Sequence, residues 1–239
     1  MRHIIKRIIL GLLGLLILGS IVGFVLINHL TQEGSKAMFE LITVDYEQTD
    51  DYYKFALDEP KATIVYYPGG LVKAESYLYQ GMLLYEAGYD VIIVKMPLNL
   101  AILNREAFLD FYDDSNGPYY IAGHSLGGAS AAYVARDYPD KIDGLILLAA
   151  YPPSSVDLSD KNLNVLSITA SLDGVIDQDN YENTQSLLPS DTIYKTIEGG
   201  NHAQFGYYGA QRGDQEATIS VENQHHTITE MITEFIDSQ

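Results

Sequence analysis

One ten-residue stretch limits the possible folds of this chain more than any other: Tyr119-Tyr120-Ile121-Ala122-Gly123-His124-Ser125-Leu126-Gly127-Gly128. A short apolar run with the look of a buried strand passes through Gly-x-Ser-x-Gly into an Ala-rich segment that reads as a helix over 126–136. A strand that becomes a helix within one residue forces the apex residue into a strained backbone and holds its side chain out at the strand's carboxyl end. Gly123 and Gly127 flank the apex because a side chain at either place would collide with the adjoining helix or strand. Gly-x-Ser-x-Gly alone arises often by chance. With a strand before it and a helix after it, Ser125 reads as an exposed nucleophile and not as a passing loop serine. No Gly-Lys-Ser/Thr follows, which sets aside a phosphate-cradling loop.

The rest of the domain supplies matching elements. Residues 41–46 and 52–57 alternate apolar and polar side chains and predict an opening antiparallel pair. Short runs, apolar throughout, follow at 63–67, 91–95, 119–122, 144–149, 165–170 and 192–196, as strands buried on both faces require. Helices are expected between and after them at 75–87, 105–112, 126–136, 180–188 and 218–235. Strands alternating with helices predict an α/β fold, a mostly parallel eight-stranded sheet with helices on both faces.

A serine hydroxyl needs a base within hydrogen-bond reach, and the base needs an orienting acid. Of six histidines, His3 and His29 flank an apolar N-terminal segment. His124 adjoins the serine, so its side chain points elsewhere and packs. His225 and His226 read as surface or partly packed residues of the last helix. His202 remains, in Glu198-Gly199-Gly200-Asn201-His202 after the last strand, on a loop flexible enough to carry its ring over the sheet edge. Asp173 ends the preceding strand and is the expected acid, with Asp177 in reserve. Ser, Asp and His then occur in an order that carboxyl-edge sites of open sheets use. The loop Pro68-Gly69-Gly70-Leu71 after the 63–67 strand is suited to aim the amide of Gly70, or of Leu71, at an oxyanion beside the amide of Leu126. Met96, Tyr151 and Phe205 are expected to line the substrate site.

The chain has 239 residues and no cysteine, which excludes disulfides, thiolate–metal sites and a cysteine nucleophile. Neither a metal nor a cofactor is expected. Residues 8–27 are apolar without a single charge, about the length that spans a bilayer, and follow Arg2, Lys6 and Arg7. The expectation is one transmembrane helix within residues 1–37, then a catalytic domain over 38–239 outside the cytoplasm at the cell membrane. A cleaved signal peptide, giving a secreted domain, is the rival. Beyond residue 37 there are 31 acids against 10 bases; this charge repels phosphate backbones and leaves no electrostatic route to nucleic acid. The sequence does not specify an oligomeric state.

At Tyr67–Gly70, Lys95-Met96-Pro97, Gly123–Gly128 and Gly199–Gly206 the chain resembles the α/β-hydrolase superfamily. Within it, the chain is similar to small, lidless, often membrane-anchored bacterial serine hydrolases of the α/β-hydrolase fold-5 type. The resemblance implies an α/β-hydrolase fold, a Ser125–Asp173–His202 triad, an oxyanion hole at Gly70 or Leu71 with Leu126, and a small acyl substrate. It departs from the lipase pattern at Pro68, where a His often precedes the glycines, and from dienelactone hydrolases, whose nucleophile is Cys. Only about 15 residues separate the 144–149 and 165–170 strands, leaving no room for a cap domain. Ester hydrolysis is the leading expectation. Acyl transfer, thioester hydrolysis and peptide cleavage use the same machinery, and a non-catalytic, surface-tethered binding module is the alternative of a different class.

Overall fold

The computed structural model describes residues 2–239, except for the side chains of 2–11, 13–15 and 17. Among the described residues eight strands form one sheet: β1 (Glu47–Gln48), β2 (Tyr52–Phe55), β3 (Thr63–Tyr67), β4 (Asp90–Val94), β5 (Tyr119–His124), β6 (Gly144–Leu148), β7 (Asn164–Ala170) and β8 (Ile193–Ile197). Their spatial order is β1-β2-β4-β3-β5-β6-β7-β8. The β1–β2 and β2–β4 pairs are antiparallel and the others parallel.

Because strand side chains alternate between faces, apolar runs feed two cores. Ile64 and Tyr66 of β3 point into one layer with Leu78 and Met82 of helix α3 (Leu78–Glu86) and Ile228, Ile232 and Phe235 of helix α6 (Val221–Asp237). Val65 and Tyr67 point into the other, with Ala131, Ala132 and Val134 of helix α4 (Leu126–Asp137). Each fully buried Leu, Ile or Phe in these layers contributes about 1.5–3 kcal/mol. Parallel order places the carboxyl ends of β3, β5, β7 and β8 on one rim, and all the candidate catalytic loops leave from it.

Three local expectations need correction. Residues 41–46 form no strand: a short helix, α2 (Lys36–Leu41), precedes irregular chain. Leu41, Ile42, Val44 and Tyr46 alternate because they lean in turn on the first core layer. The expected 105–112 helix is a 3-10 segment, Arg105–Asp110. His225 is fully buried on α6 and not a surface residue. Between β6 and β7 the chain carries no helix.

At the N-terminus, helix α1 runs Arg2–Leu30. Eight of the twenty side chains of the expected membrane span, 8–27, lie outside the described residues. Among the described residues no helix is long and apolar enough to cross a membrane, so the structure adds no support of its own to that expectation. After α1 the main chain of Gln32 pairs with the loop following β3, donating to the Leu71 carbonyl (2.7 Å) and accepting from the Lys73 amide (3.0 Å). Ser35 N–H donates to Tyr207 C=O at 2.8 Å. The segment between α1 and the domain is thus bound to the rim.

Candidate active site

Ser125 sits at the junction of β5 and α4 with φ 52° and ψ −120°, a conformation that costs a non-glycine residue about 1–3 kcal/mol. The fold holds it there through hydrogen bonds: Ser125 N–H donates to Leu148 C=O of β6 (2.9 Å), and Ala129 N–H donates back to the Ser125 carbonyl (3.0 Å). A Cβ on Gly123 would lie 2.5 Å from the Gly127 carbonyl carbon, and one on Gly127 only 2.2 Å from the Tyr67 carbonyl oxygen. The two glycines let α4 press against β5 and β3, as the sequence implies.

His202 and Asp173 meet although 29 residues separate them: His202 Nδ1 lies 2.7 Å from Asp173 Oδ2, with both side chains almost completely buried. The other carboxylate oxygen of Asp173 accepts the amides of Val175 and Ile176, each at 2.8 Å, so the acid is locked. Asp177, the reserve acid, is occupied elsewhere, capping helix α5 (Gln178–Thr184) by accepting from the amide and side chain of Asn180. Ser125 and His202 line one open cavity of about 300 Å³ with Leu126, Ala129, Ala149, Ala150, Tyr151, Val175, Ile176 and Asp177. A direct Ser125–His202 hydrogen bond is absent among the described residues, as is common before substrate draws the pair together. Burial, then the Asp177 charge, push the Tyr151 hydroxyl up from its ordinary pKa.

Two expected residues do not reach this cavity. Met96 is buried in the second core layer. Phe205 is fully buried because the 3-10 turn Ala203–Phe205 carries its ring inward, where it stacks on His124 at 5.6 Å. Tyr151 does line it. On the oxyanion loop, the Leu71 amide is committed to Asn99 C=O at 2.8 Å, which removes it as a donor. Among the described residues the Gly70 and Leu126 amides have no such partner. Gly70 lies so near Leu126 that a Cβ on it would come within 2.9 Å of the Leu126 side chain.

Residues not singled out in the sequence support the site. Asp214 Oδ1 accepts the amides of Gly174 (3.0 Å), His202 (3.3 Å) and Gln215 (3.0 Å), and its Oδ2 accepts that of Ala203 (2.8 Å). One carboxylate therefore ties the acid's loop to the base's loop. Buried Gln224 of α6 holds the Asn201 peptide by both its N–H (3.0 Å) and its C=O (2.9 Å). Tyr77 OH accepts the Gly69 amide (2.9 Å) and lies 2.8 Å from His124 Nδ1. His124 lies under the base, ring centroids 4.6 Å apart. Burial first, then the neighbouring His202 and His225, hold its pKa well below the usual histidine range, so it is neutral. A larger cavity of about 590 Å³ opens on the far flank of the base loop, but neither Ser125 nor His202 lines it.

The chain has counterparts among known proteins. A stretch of 56 residues is 38% identical to a pyrethroid hydrolase of Sphingobium wenxiniae, covering 22% of this chain and 20% of that protein's length. In three dimensions the chain is similar to a CIB-like hydrolase of Thermoplasma acidophilum, with a TM-score of 0.59 and 16% identity over 80% of this chain and 98% of the other. A monoacylglycerol lipase of Paleococcus ferrophilus aligns with a TM-score of 0.60 and 15% identity, over 80% of this chain and all of the other. At such identities these two structures speak for the fold alone. The sequence profile of the Alpha/beta hydrolase family matches residues 63–226, well over half of the chain and from β3 through the base loop into α6. This chain is a member of the alpha/beta hydrolase family.

Proposed function

We propose that the chain is a serine hydrolase that cleaves a carboxylic ester or related acyl bond through an acyl-enzyme, held at the cell membrane by residues 8–27 with its catalytic domain outside the cytoplasm. The observation that carries the chemistry is the buried Asp173–His202 pair at 2.7 Å beside a strained Ser125 in one cavity. Ser125 Oγ attacks the acyl carbonyl while His202 Nε2 takes its proton, and Asp173 stabilises the resulting imidazolium. The amides of Gly70 and Leu126 receive the oxyanion. His202 then returns the proton to the departing alkoxide. A water molecule, deprotonated by the same nitrogen, opens the acyl-enzyme and releases the acid.

Small apolar side chains at Ala129, Ala149 and Ala150 suit the cavity to a compact acyl group. The name of the pyrethroid hydrolase agrees with a hydrolytic reaction. The anchor reading draws on the uncharged 8–27 run behind Arg2, Lys6 and Arg7. Such an apolar run is at home in lipid.

A fluorophosphonate probe tests the chemistry. Wild type is labelled and Ser125→Ala is not; a well-folded wild type that resists the probe would refute it. Turnover of p-nitrophenyl esters of increasing acyl length then separates the compact acyl groups expected here from long ones.

A further inference from the structure

We infer that the rim beside the nucleophile is a lipid-contacting face: residues 97–103, with Phe39, lie in the interface of the bilayer that holds α1, and the catalytic cavity opens next to the lipid surface. This inference rests on the anchor reading proposed above.

Outside α1, the large apolar side chains exposed among the described residues are Phe39 (41%), Leu98 (41%), Ile102 (52%), Leu103 (55%) and Tyr194 (40%). Three of the five belong to the short loop after β4, and Phe39 follows the segment that joins α1 to the domain. Clustered exposure of this kind marks an interaction surface, whereas scattered exposure would not. Leu98 and Asn99 both adopt left-handed backbone, at φ 53° and 55°. Neither is glycine, so the fold accepts a local cost to keep this loop in place.

Main-chain hydrogen bonds connect the patch to the anchor. Asn99 C=O accepts from the Leu71 amide (2.8 Å), and Leu71 C=O accepts from the Gln32 amide (2.7 Å). Three chain segments thus lie side by side, at roughly the 4.8 Å separation of hydrogen-bonded strands. Gln32 comes two residues after Leu30, the last residue of α1, and two residues reach no more than about 7 Å. If α1 ends at the membrane surface, residues 97–103 are held beside that surface, and Ile102 and Leu103 find there the apolar medium they lack in water. The same ladder contains the loop of Gly70, which abuts Leu126 at the start of α4. A substrate dissolved in the bilayer would therefore reach Ser125 from the side on which the anchor emerges.

The chain has no tryptophan, so a single one reports cleanly. Full-length Ile102→Trp and, as the remote control, Tyr194→Trp on β8 are each reconstituted into phosphatidylcholine vesicles whose acyl chains are brominated near the carbonyl end. Alkaline carbonate extraction of the same vesicles checks the anchor separately. The expected result is that the chain resists extraction, Ile102→Trp loses most of its emission to bromine, and Tyr194→Trp keeps its own. Resistance to extraction with neither tryptophan quenched would overturn the inference and leave the anchor standing. Extraction of the chain into carbonate would remove the anchor reading and this inference together. Emission of Ile102→Trp that shifts with protein density in unbrominated vesicles would assign the patch to a second copy of the chain, which also overturns it. As a functional arm, Ile102→Ser/Leu103→Ser should turn over a soluble short ester as wild type does, while hydrolysis of a vesicle-embedded ester falls about tenfold, the factor that about 1.4 kcal/mol of lost contact represents.

Discussion

Replacing Asp214 with asparagine is a sharp test of how this site is held together. The carboxylate accepts four main-chain amides, three at Oδ1 and one at Oδ2. Asparagine keeps one acceptor oxygen and turns the other into a donor. Either Ala203 N–H or the group of Gly174, His202 and Gln215 then faces an N–H. Bonds to a charged acceptor contribute about 1.5–3 kcal/mol each, and an orphaned donor costs about 1–3 kcal/mol. Asp214 is partly exposed, so water compensates in part, and a net loss of about 2 kcal/mol is expected at the low end of those ranges. For a chain of this size that lowers Tm by about 4–8 °C. The larger effect falls on turnover, because the amides released belong to the loop that carries the base. A shift of about 1 Å in a catalytic group costs on the order of 10²-fold in rate. The expected outcome is kcat reduced by about 10- to 100-fold with KM for a small ester nearly unchanged, since Asp214 does not line the substrate cavity. Calorimetry and steady-state kinetics on the same preparation decide the matter. A lowered Tm with wild-type kcat would show that Asp214 stabilises the fold without positioning His202; wild-type values of both would refute the whole line of reasoning.

Three other outcomes follow from the same geometry. Asp173→Asn should keep its two local amide bonds and fold, yet reduce kcat by on the order of 10⁴-fold by orienting the wrong His202 tautomer; the same loss on Asp177→Asn, with Asp173→Asn active, would reassign the acid. Tyr77→Phe leaves the Gly69 amide and His124 Nδ1 without a partner in the core, so denaturant unfolding should report a loss of about 2–4 kcal/mol; an unchanged midpoint would contradict the network. Burial chiefly lowers the His225 pKa to about 4, against the opposing pull of the Gly206 backbone and the Glu222 charge. From about pH 6.5 down to about 4 the unfolded chain therefore binds a proton that the folded chain does not, and stability falls through that window by roughly 3 kcal/mol. His225→Asn can still donate toward Gln80 Oε1 (2.8 Å from His225 Nδ1 in the native chain) and should flatten that decline; an acid profile identical to wild type would refute the assignment.

What the sequence made legible was whatever local sterics dictate. Gly123 and Gly127 are readable because a tight strand-to-helix turn tolerates nothing larger, and the contacts their Cβ atoms would make bear this out. The runs at 63–67 and 119–122 were readable as strands because a two-sided core demands continuous apolarity. The same reasoning failed at 41–46, where alternation came from irregular chain resting on the core. It failed at Phe205, since an aromatic residue three positions after the base gives no sign of which way a 3-10 turn will face it. Leu71 was lost as an oxyanion donor because its amide donates to the carbonyl of Asn99, 28 positions away. Asp214 and Tyr77 escaped notice for a related reason: each accepts amides that the fold brings to it, Asp214 from as far as Gly174 and Tyr77 from Gly69, and nothing in one sequence marks an acceptor for a backbone amide that folding has yet to deliver.

The protonation state of His124 links the packing to the chemistry. In the proposed mechanism His202 becomes an imidazolium, and a second positive ring 4.6 Å away would oppose it by about 3–4 kcal/mol at an effective dielectric of about 20. Each 1.4 kcal/mol added to the barrier is a factor of ten in rate, so a charged His124 would cost two orders of magnitude or more. The fold avoids this by burying the ring between Phe205 and His202, with the Tyr77 hydroxyl 2.8 Å from Nδ1. The same hydroxyl also accepts the Gly69 amide, next to Gly70, the proposed oxyanion donor. One tyrosine thus touches both the ring beneath the proposed base and the loop expected to receive the oxyanion, so the two halves of the proposed site share a buried contact.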